Sequence, residues 1–295
     1  MPISTKPLHR LFGAQISGID LRRAISGKLL ADFVHAMDTW AVCVVHHETP
    51  LTNEQHIAFS EALGPIERGK ILEIAGAKGM RIPYHSIIDQ SNLGPDGEIF
   101  REGDRTLGFK RANRLWHTDM SFHPVRATYS ALSAHEVPSG GADTEFADMR
   151  AAYDALPRET KAQIADLTAE HSYWYSRVRG GGPEPTDAER RSRPPAQHKL
   201  VHVHPTSGRT ALYLASHASH IVGWPVDAGR ALLEELMTFA TRPEFVMSHD
   251  WRVGDVVIWD NLATMHRATP FDDTIHRRDM RRTTCRERDV STSRS

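Results

Sequence analysis

The chain has 295 residues, 40% hydrophobic and 25% charged, and its 36 basic and 37 acidic side chains leave a net charge of −1. That is long enough for one large core, and it lacks the basic excess that phosphate-backbone binding needs, so no nucleic-acid partner is expected. No run approaches the ~18 apolar residues of a membrane span, the basic N-terminus lacks the apolar stretch of a secretory signal, and Cys43 and Cys285 make no disulfide framework, so a cytoplasmic protein without a membrane partner is expected.

In chain order, residues 16–21 form a short segment ending in an acidic turn. Residues 28–39 place Leu29, Leu30, Phe33, Val34 and Met37 at helical spacing. Residues 41–46 are a β-branched run that predicts a buried strand. Thr52 then caps a helix with Gln55 in the capping-box position, and Gly64-Pro65 stops it. Residues 69–113 predict mostly loop around one strand at 86–89, and a substrate lid is expected around 70–112.

Two strands within 129–146 flank a Pro-Ser-Gly-Gly turn at Pro138 to Gly141. Asp148 opens a helix, residues 158–167 form another, and residues 179–196 predict a loop. Residues 171–175 (His-Ser-Tyr-Trp-Tyr) suggest a packed aromatic strand that could also line a pocket. Residues 200–204 and 211–214 predict a hairpin, 228–240 a periodic helix, and 255–259 and 276–285 the last strands. Many short strands with interspersed helices predict a mainly β sandwich or barrel with α-helical decoration, in one domain over residues 1–295.

His117-Thr118-Asp119 is the sharpest local feature. On a strand, residues two apart face the same way, so an imidazole and a carboxylate could grip one metal ion together with a second histidine. The motif alone carries nothing, because 18 histidines and 37 acidic residues produce about two such pairs by chance. The other is His46-His47-Glu48, which reads as a satisfied or solvated strand end. His202 and His204 alternate on a strand and are expected to be structural rather than metal ligands. Arg278 and Arg282 are four apart and would share a strand face. Such arginines are costly to bury unless each meets an anion, and the alternative is a solvated basic edge strand.

Several segments together carry a family resemblance. They are residues 53–59 (Asn-Glu-Gln-His-Ile-Ala-Phe), 115–119 (Leu-Trp-His-Thr-Asp), 138–146 (Pro-Ser-Gly-Gly-Ala-Asp-Thr-Glu-Phe), 148–157 (Asp-Met-Arg-Ala-Ala-Tyr-Asp-Ala-Leu-Pro), 254–261 and the Arg278-x3-Arg282 pair. Over residues 7–285 the chain resembles the taurine dioxygenase / 2,4-dichlorophenoxyacetate dioxygenase family of Fe(II)- and 2-oxoglutarate-dependent oxygenases. Residues 148–157, 217–220 and the N-terminal Pro-Leu-His look closest to the 2,4-dichlorophenoxyacetate branch.

The resemblance implies a double-stranded β-helix, or jelly roll. It implies that His117, Asp119 and His266 ligate iron and that Thr144 and Arg278 bind the distal carboxylate of 2-oxoglutarate. It also implies that Arg282 holds an anionic small-molecule substrate, with Asn113 and His217 near it. Fe(II), 2-oxoglutarate and O2 would be the cofactor and cosubstrates. The implied reaction hydroxylates an aryloxyacetate-type acid, releasing succinate and CO2 and leaving a phenol and glyoxylate. A sulfonate or sulfate-ester dioxygenase and a non-catalytic anion-binding jelly roll are the alternatives. Residues 70–109 depart from the family pattern, which leaves the substrate open. A homo-oligomer is expected.

Overall fold

The computed structural model describes residues 2–68 and 81–288. The larger sheet has seven strands, in spatial order β1 (Ser4–Pro7), β2 (Ala14–Ser17), β3 (Val42–His46), β13 (Asp255–Asp260), β5 (Ala127–Glu136), β15 (Asp279–Arg286) and β4 (Ile88–Asp89). Only β2 and β3 pair in parallel. A three-stranded sheet, β12 (Val246–His249), β6 (Thr144–Asp148) and β14 (Thr264–Ala268), faces it. Two small sheets extend this: β11 (Ala218–Ile221), β7 (Thr168–His171) and β8 (Ala196–Lys199), and the hairpin β9 (Val201–Val203) and β10 (Thr210–Leu212). The facing sheets make the jelly roll that the sequence led us to expect.

Strand periodicity explains the layers. On β3 and β13, Val42, Val44, Val257 and Trp259 point between the sheets, where they meet Phe146, Met247, Trp251 and Met280. Cys43, Val45, Val256 and Ile258 point the other way, into a core under α1 (Gly27–Trp40) and α2 (Asn53–Leu63). Both faces are covered, so these strands read as unbroken hydrophobic runs rather than alternating ones. A third core packs α4 (Met149–Ala155) and α8 (Val226–Ala240) over the smaller sheets. The predicted capping box on α2 forms, with Thr52 accepting from Gln55 N and Gln55 from Thr52 N.

The predicted boundaries need corrections. Residues 70–80 of the expected lid lie outside the described residues. Its described remainder is mostly loop, as expected, but it also holds α3 (Arg105–Arg111), capped by Asp104, and the strand at 86–89 shrinks to β4. The loop predicted at 179–196 contains α7 (Asp187–Ser192), whose Thr186/Glu189 capping box the Gly, Pro and Arg content masked. Residues 171–175 are not a strand. His171 ends β7, and Ser172 caps α6 (Tyr173–Arg179) by accepting from Tyr175 N, so a local side-chain bond overrides aromatic β-propensity. The helix predicted at 158–167 is α5 (Arg158–Ile164).

Gly254 lies in the turn just before β13 at φ +91°, and a Cβ there would stand 1.9 Å from the His47 carbonyl oxygen. Gly97 has φ +83° with nothing near its missing Cβ. Gly97→Ala should therefore cost about 1 kcal/mol of backbone strain, and Gly254→Ala roughly 3 kcal/mol or more, because the backbone itself must move. Urea midpoints at unchanged slope check this. Equal losses at the two positions would contradict the packing account.

Candidate metal centre and its cavity

His117 and His266 form an isolated antiparallel bridge, with N–O distances of 3.0 and 2.8 Å between their backbones. This corrects the expectation that His117 and Asp119 share a regular strand. Only His117 is paired, Asp119 lies in the turn that follows, and Met120 takes φ +54°. The turn still brings Asp119 to the same place. The nearest ligand atoms of His117, Asp119 and His266 all lie within 4.8 Å of one another, the one such cluster found among the described residues. His117 Nε2 stands 3.9 Å from Asp119 Oδ1, and His266 Nε2 3.8 Å from Asp119 Oδ2.

Each ligand is held from behind. His117 Nδ1 lies 2.8 Å from the Leu115 carbonyl, which puts its proton on Nδ1 and leaves the Nε2 lone pair free. Asp119 Oδ2 accepts from Ser130 Oγ at 2.7 Å, Oδ1 accepts from Arg282 Nη1 at 2.5 Å, and the Asp119 amide donates to Asn261 Oδ1 at 3.2 Å. Asn261 Nδ2 also donates to Ser130 Oγ at 3.0 Å, so the carboxylate's support is itself supported. Ser130 and Arg282 reach Asp119 together because β5 and β15 are in register, Ser130 opposite Thr284 and Leu132 opposite Arg282.

Burial acts on the three ligands in opposite senses. It lowers both imidazoles, His266 well below the ordinary range with the His117 charge adding to the effect, so neither carries a proton near neutrality. Burial alone would raise the Asp119 carboxyl, but the Arg282 charge, followed by those of His266 and His117, brings it below its usual value. Two neutral imidazoles and one ionised carboxylate result, which is the donor set that fits Fe(II) with sites left open.

The cavity extends in two directions. A part of about 50 Å³ lies between the cluster and Arg278, walled also by Thr144, Leu132, Trp259, Asn113 and Arg282. Arg278 is buried and meets no carboxylate among the described residues. Its Nη1 and Nη2 reach only the Gln90 and Ala142 carbonyls, at 3.3 and 3.5 Å, and its Nε has no acceptor. Burial pushes it down to about 10, so it stays charged at neutral pH. Thr144 Oγ1 accepts from Trp251 Nε1 at 3.0 Å, which leaves its own proton to donate. A buried guanidinium and a hydroxyl facing one small space suit a carboxylate, and so fit the far end of 2-oxoglutarate.

The second part, of about 130 Å³, runs from His117 and Asp119 past Arg282 and His217 to a wall of Ile88, Phe109, Phe122, Tyr173 and Trp174. His217 Nδ1 lies 3.1 Å from Ser121 Oγ. Asn113 donates to Gln90 Oε1 at 3.0 Å and borders both parts. All eight residues singled out from the sequence (His117, Asp119, His266, Thr144, Arg278, Arg282, Asn113 and His217) thus border one or both of two neighbouring spaces that share Gln90, Asn113, His117 and Arg282 as walls. Sequence reasoning missed Ser130, Asn261, Gln90, Lys110 and Arg177. Ser130 carried no motif, Asn261 ended the 254–261 segment without a role of its own, and Lys110 and Arg177 sit on helices in or next to stretches expected to be loop and strand. Three histidines weighed as alternatives are tied into the fold: His46 binds Asp255 at 2.7 Å, His204 binds Asp260 at 2.8 Å, and His202 binds the Leu262 carbonyl at 2.8 Å.

The family model described as taurine catabolism dioxygenase TauD, TfdA family matches residues 4–284. The chain belongs to that family. Within it, the chain is 42% identical over 284 residues to the alpha-ketoglutarate-dependent 2,4-dichlorophenoxyacetate dioxygenase of Cupriavidus pinatubonensis, covering 96% of this chain and 98% of the relative. It is 37% identical over 276 residues to the (S)-phenoxypropionate/alpha-ketoglutarate-dioxygenase of Sphingobium herbicidovorans, covering 91% and 90%. Among solved structures, AAD-2 in complex with Mn(II) and N-oxalylglycine superposes with a TM-score of 0.92 at 43% identity, covering 98% of this TauD/TfdA chain and 99% of that one.

Asp119→Ala should abolish tight Mn(II) binding in a protein that still unfolds cooperatively, with a lowered melting temperature because Arg282 loses its carboxylate. Ser130→Ala keeps the carboxylate but removes the hydroxyl that donates to Oδ2 and accepts from Asn261, and should weaken Mn(II) about ten- to a hundredfold. Free Mn(II), read by electron paramagnetic resonance during titration, separates the two. Tight Mn(II) binding by Asp119→Ala would mean the carboxylate is no ligand.

Proposed function

We propose that this chain is an Fe(II)- and 2-oxoglutarate-dependent dioxygenase that hydroxylates an aryloxyacetate-type acid. The observation that carries the reading is Arg278, a buried guanidinium without an anion, across a small cavity from two neutral histidines and an ionised aspartate. In this reading His117, Asp119 and His266 hold Fe(II). Arg278 and Thr144 hold the distal carboxylate of 2-oxoglutarate, with its 2-oxo acid end toward the metal.

Fe(II) with 2-oxoglutarate and O2 supplies C–H oxidation, with release of succinate and CO2. The chain's residues position the carbon to be oxidised. Arg282 keeps Nε without an acceptor while Nη1 holds Asp119, so it has donors left for the substrate's carboxylate. A carboxylate anchored there places the adjacent methylene beside the metal ligands. The aryl group packs on Phe109, Phe122, Tyr173 and Trp174, which exclude water from that side. Asn113 and His217 face the substrate between them. Hydroxylation next to the ether oxygen gives a hemiacetal that collapses to a phenol and glyoxylate.

The naming of the 2,4-dichlorophenoxyacetate and (S)-phenoxypropionate relatives supports this substrate class. The same reading takes residues 1–295 as one domain, with the described part of the lid, including α3, covering the ring pocket. It includes the homo-oligomer expected from the sequence, which light scattering reads directly. It places the chain in the cytoplasm, consistent with two free, buried cysteines. No helix among the described residues is long and apolar enough to cross a membrane.

Succinate release across a panel of phenoxyacetate, 2,4-dichlorophenoxyacetate, the corresponding amide and taurine tests the reading. The two aryloxy acids should be turned over and the amide poorly. Taurine preferred by a large factor would move the chain to the sulfonate branch. Arg278→Gln should raise the 2-oxoglutarate concentration needed for half-maximal rate about ten- to a hundredfold, the worth of one charge-assisted bond of ~1.5–3 kcal/mol. An unchanged requirement would remove Arg278 from that role.

A further inference from the structure

Three cations line the larger part of the cavity: Lys110, Arg177 and Arg282. Two of them are already matched. Lys110 Nζ donates to the Ser91 carbonyl at 2.6 Å and stands 3.7 Å from Asp89, and Arg282 holds Asp119. Arg177, on α6, has no carboxylate within ion-pair reach among the described residues. Its Nη1 donates to the Phe109 carbonyl at 2.5 Å, its guanidinium lies 4.8 Å from the Tyr173 ring centre, and its Nε is buried with no acceptor. A buried donor without an acceptor is costly in a folded chain and calls for a reason.

The position of Arg177 supplies one. It lines the same part of the cavity as His117, Asp119, His217 and Arg282. The two guanidiniums thus border one space from different walls, α6 and β15. Each presents an Nε–H with no acceptor among the described residues. Two guanidiniums that border one cavity from two walls, each with a donor left over, suit an anion.

We infer that Arg177 is a second anchor for the substrate's carboxylate, gripping it from the α6 wall while Arg282 grips it from β15. This rests on the reading of the chain as an aryloxyacetate dioxygenase and names a residue that reading lacks. One carboxylate has lone pairs for both arginines. The division of labour leaves Arg282 with one hand on Asp119, so that binding of the acid and placement of the metal ligand meet in one side chain. The Phe109 carbonyl that Arg177 also holds belongs to α3, which ties recognition of the acid to the helix beside the ring pocket.

The test separates charge from scaffolding. Arg177→Gln keeps a donor for the Phe109 carbonyl and removes the charge, whereas Arg177→Lys keeps a charge. Binding of phenoxyacetate and of its neutral amide is measured by calorimetry on the anaerobic Fe(II)/N-oxalylglycine protein. Arg177→Gln should weaken the acid about ten- to a hundredfold, leave the amide unchanged, and be partly rescued in Arg177→Lys. Mn(II) affinity and melting temperature should stay near wild type. Equal weakening of acid and amide would make Arg177 only a brace for α3 and overturn the inference, as would an unaffected acid. Failure of the unaltered protein to bind phenoxyacetate at all would instead overturn the aryloxyacetate reading on which the inference stands.

Discussion

A single buried carboxylate organises this molecule. Asp119 is 3% exposed and carries charge in a place where an unpaired charge would cost several kcal/mol. Everything that makes it tolerable comes from a different element. Arg282 arrives on β15, Ser130 on β5, and Asn261 at the end of β13. The central strands of the larger sheet must be in correct register for the three to converge. The isolated bridge between His117 and His266 then fixes the two imidazoles beside the carboxylate without a regular strand. Fold and site are therefore one problem: a one-residue slip of β15 against β5 would turn Arg282 away from Asp119.

Electrostatics divides the cavity into compartments. Arg282 is largely satisfied by Asp119, whereas Arg278 is charged, buried and without an anion of its own. Stability alone does not favour such a residue, since a hydrophobic side chain of similar volume would be cheaper to bury. Its presence beside a small hydroxyl-lined space is intelligible as a site waiting for a dicarboxylate. The left-handed pair Gly141 and Ala142, at φ +70° and +65°, turns the chain just before β6 and brings the Ala142 carbonyl and Thr144 to that space. The Pro-Ser-Gly-Gly turn thus belongs to the site as much as to the fold.

How much of this could be read from the sequence depended on the range of the interaction. Local signals carried well: the Thr52–Gln55 capping box, the β-branched run of β3, the hairpin at β9 and β10, and the periodicity of α8 are all short-range. Arg278 and Arg282 both border the cavity, although not by the strand alternation expected: Arg278 precedes β15, whose register shifts between Asp279 and Met280. Two features were illegible for identifiable reasons. The aromatic stretch after His171 looks like a strand until Ser172 caps it into α6, and that hid Arg177. Ser130 and Asn261 are ordinary polar residues whose role exists only through pairing across β5, β13 and β15. His117-x-Asp119 led to the correct pair by an incomplete argument, because Asp119 reaches the metal position from a turn and not from a strand face. Some motif residues that marked the family serve structure. Asp148 caps α4 and pairs with the buried Arg150, which reaches the Asp38 carbonyl at 3.0 Å.

On the proposed reading, His117, Asp119 and His266 would hold Fe(II) and Arg278 would hold the far carboxylate of 2-oxoglutarate. The most direct measurement is the visible absorption of the anaerobic protein as Fe(II) and then 2-oxoglutarate are added. The account predicts a weak metal-to-ligand charge-transfer band that appears only when both are present, is absent in Asp119→Ala, and needs more 2-oxoglutarate in Arg278→Gln. Tight Fe(II) binding with no such band at any 2-oxoglutarate concentration would contradict it.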